Sequence, residues 1–374
     1  MALRIGRWLA TVPKLVFSAS RRNAREVRSA YGKSIAAQVL EQAYVAYRSS
    51  IPPKAYYMFR LYKRENWDQR GDFLHRFETK PMANGRDGIY RVLNAQLAGS
   101  PDGLSNKRFL AERCGELGIA AVPTIAWIAN GGTLPEEARI RIGCSGDFVS
   151  KPSHGGGGRD VERWDRLRGS RFSNVGSGWK GTLEELAQQL EKRAESRELL
   201  IQPRLVNHQD LADIGGGALT TTRIQTALAE DLRPEVVSAA YRVPLDNPVV
   251  DNIHRGGLAA GVDLESGRLS AASLLRTGAR PSSHHPISGT PIAGRYLPDW
   301  HEALDLVLRA HAALPLAFFV GWDVGLTTSG PVIVEANVQA DVHLLQRANG
   351  LPLGRGRFGE LMAYHLVRTP LGGG

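Results

Sequence analysis

The part of the sequence that says most about the fold is Phe148-Val149-Ser150-Lys151-Pro152-Ser153-His154-Gly155-Gly156-Gly157-Gly158-Arg159-Asp160-Val161. Apolar, strand-like residues lead to one lysine, and four consecutive glycines follow. Glycine adopts backbone conformations that other residues avoid and has no Cβ, so such a loop can bring several N–H groups close to an anion. The stretch predicts a strand followed by a polyphosphate-binding loop. The alternative interpretation is a flexible surface loop beside a solvated lysine.

The composition is that of a globular protein with anionic partners. The 374 residues suffice for one large domain or two to three ordinary ones. The formal net charge of +10 indicates nucleotides, nucleic acid, acidic polymers or a membrane surface as partners. Aromatic residues make up only 7%, and no basic run is interleaved with aromatics as a stacking platform for single strands requires. Nucleic acid is therefore not expected as a partner.

Cysteine content and the basic N-terminus both bear on location. The two cysteines, Cys114 and Cys144, cannot form a disulfide framework or a cysteine-based zinc site, so we expect a reducing, cytoplasmic compartment. The apolar N-terminal stretches are broken by Arg7, Pro13 and Lys14, which excludes a signal peptide or a transmembrane segment there. A packed amphipathic helix is the main expectation, and weak contact with a membrane surface is the alternative.

The sequence of the first 200 residues predicts helices, followed by strands and a linker between two lobes. Residues 1–100 carry apolar residues at mixed three- and four-residue spacings, which predicts a helical region. Ser105 or Asn106 caps the next predicted helix, which places Lys107 in the first turn, where a cation opposes the helix dipole. Leu199–Val206 predicts a buried strand that Pro203 converts into a linker. A hinge of this kind between two lobes can hold a planar base.

The following hundred residues predict an antiparallel sheet and a long loop. Alternating, β-rich segments at 220–227, 236–243, 256–263 and 269–275 predict successive strands. His284-His285 lies in the loop that follows. We expect these histidines to be loop residues, since no third ligand has metal-site spacing.

A pair of acidic residues marks the C-terminal hairpin. Asp323 lies in one apolar strand, and Glu335 lies in its hairpin partner with Asn337 two positions on, on the same strand face. Buried carboxylates cost several kcal/mol unless they are paired or bind a metal. The three side chains predict an all-oxygen cation site that suits magnesium. The alternative is two salt-bridged acids at strand ends.

The order of these features resembles the ATP-grasp superfamily, in particular the sugar-transfer-associated group. The Asn252-Ile253-His254-Arg255-Gly256-Gly257 run is similar to one in glutamate-adding ATP-grasp ligases. The segment Pro52-Pro53-Lys54-Ala55-Tyr56-Tyr57 resembles the helical N-terminal region of the sugar-transfer-associated group. The resemblance covers nearly the whole chain and is strongest from Ser105 to Leu366. Each motif alone is weak, but six motifs in the right order are fairly specific. They are Lys107, Lys151 before the glycine loop, the hinge at 202–206, Thr221-Thr222-Arg223, the run that begins at Asn252, and Asp323 with Glu335-Ala336-Asn337.

The resemblance implies a role for each of these residues. Lys107 and Lys151 would bind ATP phosphates, under a flap formed by Gly155-Gly156-Gly157-Gly158. Mg²⁺ would bind to Asp323, Glu335 and Asn337. The hinge residues Gln202, Pro203, Arg204 and Leu205 would meet the adenine, with His208 and Asp210 as candidates for the ribose because Gln202 stands where the family usually has an acid. Arg223 and Asn252 would act in catalysis, facing the transferred phosphoryl group and the acceptor carboxylate.

The resemblance also implies a fold and a reaction. The fold class is α+β, an ATP-grasp fold of two lobes: a helical region at 1–100, a small lobe with the flap at 101–205 and a large lobe with the metal site at 206–374. The expected function is an ATP- and Mg²⁺-dependent, ADP-forming ligase. It would join a carboxylate to an amine or thiol through an acyl phosphate, on a cell-envelope sugar or a peptide. The alternatives are a phosphotransferase and a nucleotide-binding protein without catalytic activity.

Overall fold

Two six-stranded antiparallel sheets organise the structure, one built from strands within residues 126–203 and the other from strands within 221–337. The computed structural model describes residues 2–49, 51–80, 88–97, 101–155, 158–245, 257–274 and 278–368, with side chains described at all of these except 2–10 and 102. The strands are β1 (Ala126–Ile128), β2 (Phe148–Pro152), β3 (Glu162–Leu167), β4 (Arg171–Asn174), β5 (Lys180–Gly181), β6 (Leu199–Pro203), β7 (Thr221–Leu228), β8 (Pro234–Val243), β9 (Leu258–Gly261), β10 (Ser273–Leu274), β11 (Phe319–Thr327) and β12 (Gly330–Asn337).

Helices precede the first sheet, cover one face of the small sheet, pack on both faces of the large sheet and end the described chain. This mixture of helices and antiparallel sheets confirms the predicted α+β class and the helical N-terminal region. The helices are α1 (Ala2–Tyr31), α2 (Ile35–Ser49), α3 (Pro53–Met58), α4 (Arg64–Asp68), α5 (Arg76–Thr79), α6 (Ile89–Asn94), α7 (Asp102–Ser105), α8 (Lys107–Glu116), α9 (Glu136–Cys144), α10 (Leu183–Ala194), α11 (Ala212–Gly215), α12 (Trp300–Ala313), α13 (Val342–Asn349) and α14 (Arg357–Arg368).

The small sheet has the strand order β1-β6-β2-β3-β4-β5 and packs one face on α9 and α10. Phe148 and Trp164 are register partners on that face and lie in its apolar core. Lys151 pairs with Leu200, and Val149 pairs with Gln202. Because neighbours along a strand point to opposite faces, these four side chains lie on the face away from the helices.

The strand β4 of the small sheet was not expected from the sequence. Residues 169–181 are polar and glycine-bearing, which predicts a connection, yet β4 and β5 pair within them. Phe172 explains the difference, because it is fully buried and packs edge-on against Phe148 in the core. One large apolar side chain anchors a strand whose other residues are polar.

The large sheet has the strand order β10-β9-β8-β7-β11-β12, and α12 covers one of its faces. Ile224, Tyr241 and Trp322 point into that core with residues of α12. The register places Arg223 opposite Asp323 and Asp323 opposite Glu335 on the other face. On that face the charged side chains lie beside a second apolar cluster, which includes Ala240 and Phe319 of the sheet and residues of α6, α13 and α14.

The segment that carries Lys107 packs with the large sheet. Leu104, Leu110, Cys114 and Ile119, from α7, α8 and the residues after them, belong to the large-sheet core. A backbone bond from Val122 N to Ile333 O at 3.0 Å joins the same segment to β12. The segment 104–122 therefore packs with the large sheet, although it precedes the small sheet in the chain.

The N-terminal region is fastened to the large lobe through buried arginines. Arg347 on α13 is almost fully buried and donates to the carbonyl oxygens of Tyr57 and Met58 at 3.3 and 3.2 Å. Arg60 donates to Ser273 Oγ at 2.5 Å. Across the part of the chain that the structure describes, no helix has the length and apolar character needed to cross a membrane.

Candidate nucleotide and metal site

Asp323 is the centre of the charged cluster on the large sheet. Arg223 Nε donates to Asp323 Oδ1 at 2.5 Å, and the guanidinium of Arg242 donates to both carboxylate oxygens at 3.0 Å. Burial alone raises the pKa of the Asp323 carboxyl, but the charges of Arg223 and Arg242 outweigh that effect and hold the pKa below its ordinary value. Asp323 is thus an ionised carboxylate in the interior, held by two cations.

Gly321 makes room for this arrangement. A Cβ at Gly321 would lie 2.5 Å from the Cβ of Ala340 and 3.1 Å from Cδ of Arg223. Real Cβ atoms essentially never approach another heavy atom as closely as 2.5 Å. The glycine thus allows Arg223 to lie flat over β11 and reach Asp323.

Glu335 and Asn337 lie beside Asp323 on β12. Asn337 Nδ2 donates to Glu335 Oε1 at 3.2 Å and to the carbonyl oxygen of Gly321 at 3.4 Å. Within the described ranges, no group of three or more His, Cys, Asp or Glu side chains is arranged to hold a metal ion. The set is two carboxylates and an amide, all with hard oxygen donors, and such donors suit Mg²⁺ or Ca²⁺. The magnesium site stays a prediction that this donor set fits.

Lys107 lies between Glu335 on β12 and the glycine loop. Asn106 caps α8 by accepting from the backbone N–H groups of Arg108 and Phe109, which confirms the predicted cap. Lys107 Nζ donates to the carbonyl oxygen of Gly155 at 2.7 Å and lies 3.5 Å from Glu335 Oε2. The cation in the first helical turn therefore has a structural reason, since it lies between the loop and an acid of the large sheet.

Lys151 is a buried cation that no carboxylate contacts directly in the described part of the chain. It retains only 8% exposure on the helix-free face of the small sheet. Burial, together with the positive charge of Lys107, lowers the pKa of Lys151 to about 8, although Glu335 and Asp323 act in the opposite direction. Burial thus disfavours the charged form of Lys151, and an anion bound beside it would favour that form.

The glycine loop is described at its two ends. Gly155 has φ +107 and Gly158 has φ +62, in the region that side chains with a Cβ rarely adopt. The predicted flap residues Gly156 and Gly157 lie outside the described residues. So does the predicted catalytic residue Asn252.

The predicted hinge lies where the small sheet continues into the large lobe. Gln202 is buried on β6, where its Nε2 donates to the carbonyl oxygen of Val122 at 3.1 Å and its Oε1 has no partner among the described residues. Pro203 ends β6, and Arg204 pairs with Asp147 at 3.1 Å. Leu205 is half-buried in the connection that follows.

The residues proposed for the ribose lie just beyond the hinge. His208 Nδ1 accepts from the backbone N–H of Asp210 at 3.2 Å and lies 3.5 Å from its carboxylate. Their predicted ribose contact remains a prediction. The histidines of the long loop have another role: His285 is buried, and its Nε2 lies 2.8 Å from the carbonyl oxygen of Pro244, so it organises a turn.

Sequence reasoning missed Arg242. Its signal was a charged residue inside an apolar strand, the same signal that singled out Asp323. It also missed three groups near Arg223: Asp341 at the start of α13, and Lys80 and Tyr90 of the N-terminal region. Burial lowers the pKa of Lys80 and raises that of Tyr90, and the charges of Asp341 and Arg223 act on both groups, so these residues share one neighbourhood. Nothing local in the sequence links residues so far apart.

Solved structures and a family model both show similarity to this chain. Solved structures similar to this chain include D-cycloserine synthetase DcsG (14% identity, covering 77% of this chain and 74% of that one, TM-score 0.40). Others are D-alanyl-alanine synthetase A from Vibrio cholerae (12% identity, 71% of this chain and 65% of that one, TM-score 0.42) and the ATP-grasp ligase PsnB complexed with precursor peptide and AMPPNP (15% identity, 71% and 60%, TM-score 0.38). A search of curated proteins gave no match.

The family comparison covers most of the chain. The family model described as sugar-transfer associated ATP-grasp matches residues 100–357, which include both sheets and the charged cluster between them. The resemblance expected from the motifs is confirmed. The chain belongs to the sugar-transfer-associated ATP-grasp family, and its two lobes have the ATP-grasp fold.

Proposed function

We propose that the protein is an ATP- and Mg²⁺-dependent, ADP-forming ligase that joins a carboxylate to an amine. One observation carries the proposal: Lys107, Lys151, Arg223 and Arg242 gather around Asp323 and its neighbour Glu335. Phosphoryl transfer requires chiefly positioning and compensation of negative charge, and cations fixed on sheets provide both.

The small-lobe residues suit the triphosphate and the base. Lys151 needs an anion in a buried place, and Lys107 would offer a second cation on the other side of the loop. The buried, unpaired Oε1 of Gln202 is an acceptor that matches the exocyclic amine of adenine. The backbone N–H groups of Gly155-Gly156-Gly157-Gly158 would cover the phosphates and keep water out.

The large-lobe residues suit the metal and the reacting groups. Asp323, Glu335 and Asn337 would hold Mg²⁺, which when bound offsets charge on the phosphate oxygens. For this, Asp323 must share its oxygens between the metal and Arg242. Arg223 and Arg242, which hold Asp323, would also stabilise charge on the transferred phosphoryl group.

An acceptor site next to Arg223 is supported by the N-terminal region. The Tyr90 hydroxyl is buried and has no hydrogen-bond partner among the described residues. Lys80 lies in the same neighbourhood, and burial lowers its pKa. A donor and a cation of this kind, together with Arg223 and with Asn252, suit an acceptor carboxylate.

The proposed reaction has two balanced steps. A carboxylate oxygen attacks the γ-phosphorus of ATP, the bond to the bridging oxygen breaks, and ADP leaves. The amine then attacks the carbonyl carbon of the acyl phosphate, inorganic phosphate leaves with the C–O electron pair, and the nitrogen loses a proton. The products are an amide, ADP and phosphate.

Product analysis tests this proposal. The protein is incubated with ATP, Mg²⁺ and pools of amino acids, peptides and sugar acids. The nucleotides and condensation products are then separated by chromatography and identified by mass spectrometry. We expect ADP, phosphate and one new amide, all absent with Lys151→Ala and with Asp323→Ala. AMP with pyrophosphate, a phosphorylated acceptor without an amide, or turnover that survives both substitutions contradicts the ligase proposal.

A further inference from the structure

The first two helices hold most of the net charge of the protein. Residues 2–49 contain nine Lys or Arg residues and only two acidic residues, Glu26 and Glu41. The whole chain has a net charge of +10, so this short segment accounts for most of it. Glu41 is engaged inside the region, 2.5 Å from Lys33 Nζ and accepting from the Tyr56 hydroxyl at 2.6 Å. Six of the seven cations in residues 11–49 are exposed: Lys14, Arg21, Arg22, Arg25, Arg28 and Arg48.

Four of these cations form a stripe on α1. Lys14, Arg21, Arg25 and Arg28 are separated by seven, four and three residues, which places them on one side of a helix. All four are exposed. Glu26 follows Arg22 by four residues and so lies on another side of the helix.

An apolar groove runs beside the cationic stripe, between α1 and α2. It has a volume of about 710 Å³, and Ile35, Val39, Ala43 and Tyr47, at successive four-residue intervals, form its α2 wall. Its α1 wall includes Val12, Pro13, Val16, Phe17 and Ala24, and Arg21 and Arg25 line it as well.

Exposed apolar side chains lie in the groove and on the helix that forms its second wall. Phe17 on α1 is 69% exposed and Leu40 on α2 is 70% exposed. Tyr44, one turn beyond Leu40, is also exposed. Amphipathic helices that lie on membranes combine these features: apolar side chains that enter the acyl region, next to cations that meet phosphate headgroups.

We propose that α1 and α2 form a docking surface for an anionic phospholipid bilayer. The stripe Lys14, Arg21, Arg25 and Arg28 would lie on the headgroups, and Phe17 and Leu40 would enter the bilayer beside the groove. Charge complementarity selects this occupant over an apolar peptide or a second copy of the chain, since a second copy would bring an equally cationic surface. This surface is separate from the ATP site, and the proposal does not depend on the ligase activity.

The experiment is flotation of the full-length protein with vesicles. One set contains phosphatidylcholine alone and the other contains about 30% phosphatidylglycerol as the anionic lipid. We expect at least about tenfold stronger partition onto the anionic vesicles at low salt, and loss of most of this preference at about 0.5 M salt. Equal partition onto both vesicle types, or none onto either, overturns the proposal.

Matched variants separate this surface from general positive charge. Arg21→Glu with Arg25→Glu should lower partition at least about tenfold, since each basic residue contributes near an anionic surface. Arg168→Glu with Arg171→Glu, an exposed pair on the small lobe with the same change in charge, should have little effect. Equal losses in the two double variants contradict a specific surface.

An apolar substitution tests the second half of the proposal. Phe17→Ser should lower partition about threefold or more, while Val367→Ser, at a side chain that is 83% exposed on α14, should not. Circular dichroism verifies that each variant is folded. Light scattering tests the alternative occupant: a dimer of the wild-type chain that Phe17→Ser dissociates identifies the groove as a self-association surface and overturns the membrane proposal.

Discussion

Asp323 on the large sheet and Lys151 on the small sheet solve the same problem in opposite ways. Both are charged and almost fully buried, each on the sheet face opposite the core that contains α12 or α9 and α10. Asp323 has two guanidinium partners at 2.5 to 3.0 Å. Lys151 has no carboxylate at ion-pair distance among the described residues, and burial lowers its pKa. The large lobe supplies the counter-charges of Asp323 itself, whereas the charge of Lys151 would be balanced directly by a bound anion.

The largest expected effect on stability is at Asp323, the buried charge that has its own counter-charges. Asp323→Ala leaves Arg223 and Arg242 buried without their acid, and we expect the free energy of unfolding to fall by about 3–5 kcal/mol. Urea denaturation measures this. The control is Asp305→Ala, which removes the exposed pair with Arg309 and should cost less than about 1 kcal/mol. Equal costs would mean that the buried cluster does not stabilise the fold.

The opposite result is expected at the uncompensated charge. Lys151→Met removes a buried cation, and the shift of its pKa from 10.5 to about 8 corresponds to about 3 kcal/mol of destabilisation at neutral pH. We therefore expect the free energy of unfolding to stay unchanged or rise by that amount, while ATP binding is lost. Lys192→Met, at an exposed lysine on α10, should change neither property. A Lys151→Met protein that is strongly destabilised contradicts the comparison.

The pH dependence of ATP binding sharpens the same comparison. With its pKa lowered to about 8, Lys151 is mostly charged at pH 7 and mostly neutral at pH 9. Because only the charged form attracts phosphate, we expect the affinity for ATP to fall about tenfold between these pH values. Calorimetric titration at both values measures it.

A lysine-to-arginine variant is the control for that titration. Lys151→Arg keeps its proton throughout this range, so any remaining affinity should change little with pH. If the wild-type affinity is flat between pH 7 and 9, then Lys151 does not control binding through its charge.

The smallest expected effect concerns the loop between the two charged regions. Gly155 has φ +107 and open space around the position of a Cβ, so Gly155→Ala introduces backbone strain without a clash. We expect it to lower the free energy of unfolding by about 1 kcal/mol. Gly356→Ala, where φ is −100 and space is also open, should have no such cost. Identical results for both glycines would argue against a conformational need for glycine at the loop.

The parts of the site that were predictable are those that local sequence determines. Asn106 before Lys107 is a capping pattern, and the short turn after β11 places Asp323 and Glu335 in one hairpin. Their direct pairing depends on a register shift between Asp323 and Val324 that the sequence does not mark. The strand before the glycine loop and the linker at Pro203 have local signals of the same kind. Each of these follows from a few neighbouring residues and their backbone preferences.

The missing parts depend on contacts between distant segments. Arg242 reaches Asp323 because of the register of β7 on β8, which shifts at a bulge between Gln225 and Thr226 that the sequence does not mark. Lys80 and Tyr90 reach the neighbourhood of Asp341 only through packing of the N-terminal region on the large lobe. The sequence also cannot show that α8 joins the large-sheet core, because its apolar residues fit either core equally well.

One set of titrations tests the central claim, that Lys151 of the small lobe binds the triphosphate of ATP while the acids of the large lobe bind Mg²⁺. ATP is titrated into wild type, Lys151→Met and Asp323→Asn, each with Mg²⁺ and each with a chelator. We predict that Mg²⁺ strengthens ATP binding to the wild-type protein. Asp323→Asn should lose this gain but bind ATP in the presence of chelator with wild-type affinity. Lys151→Met should bind ATP poorly both with Mg²⁺ and with chelator. Wild-type affinity in Lys151→Met, or an undiminished Mg²⁺ effect in Asp323→Asn, contradicts the claim.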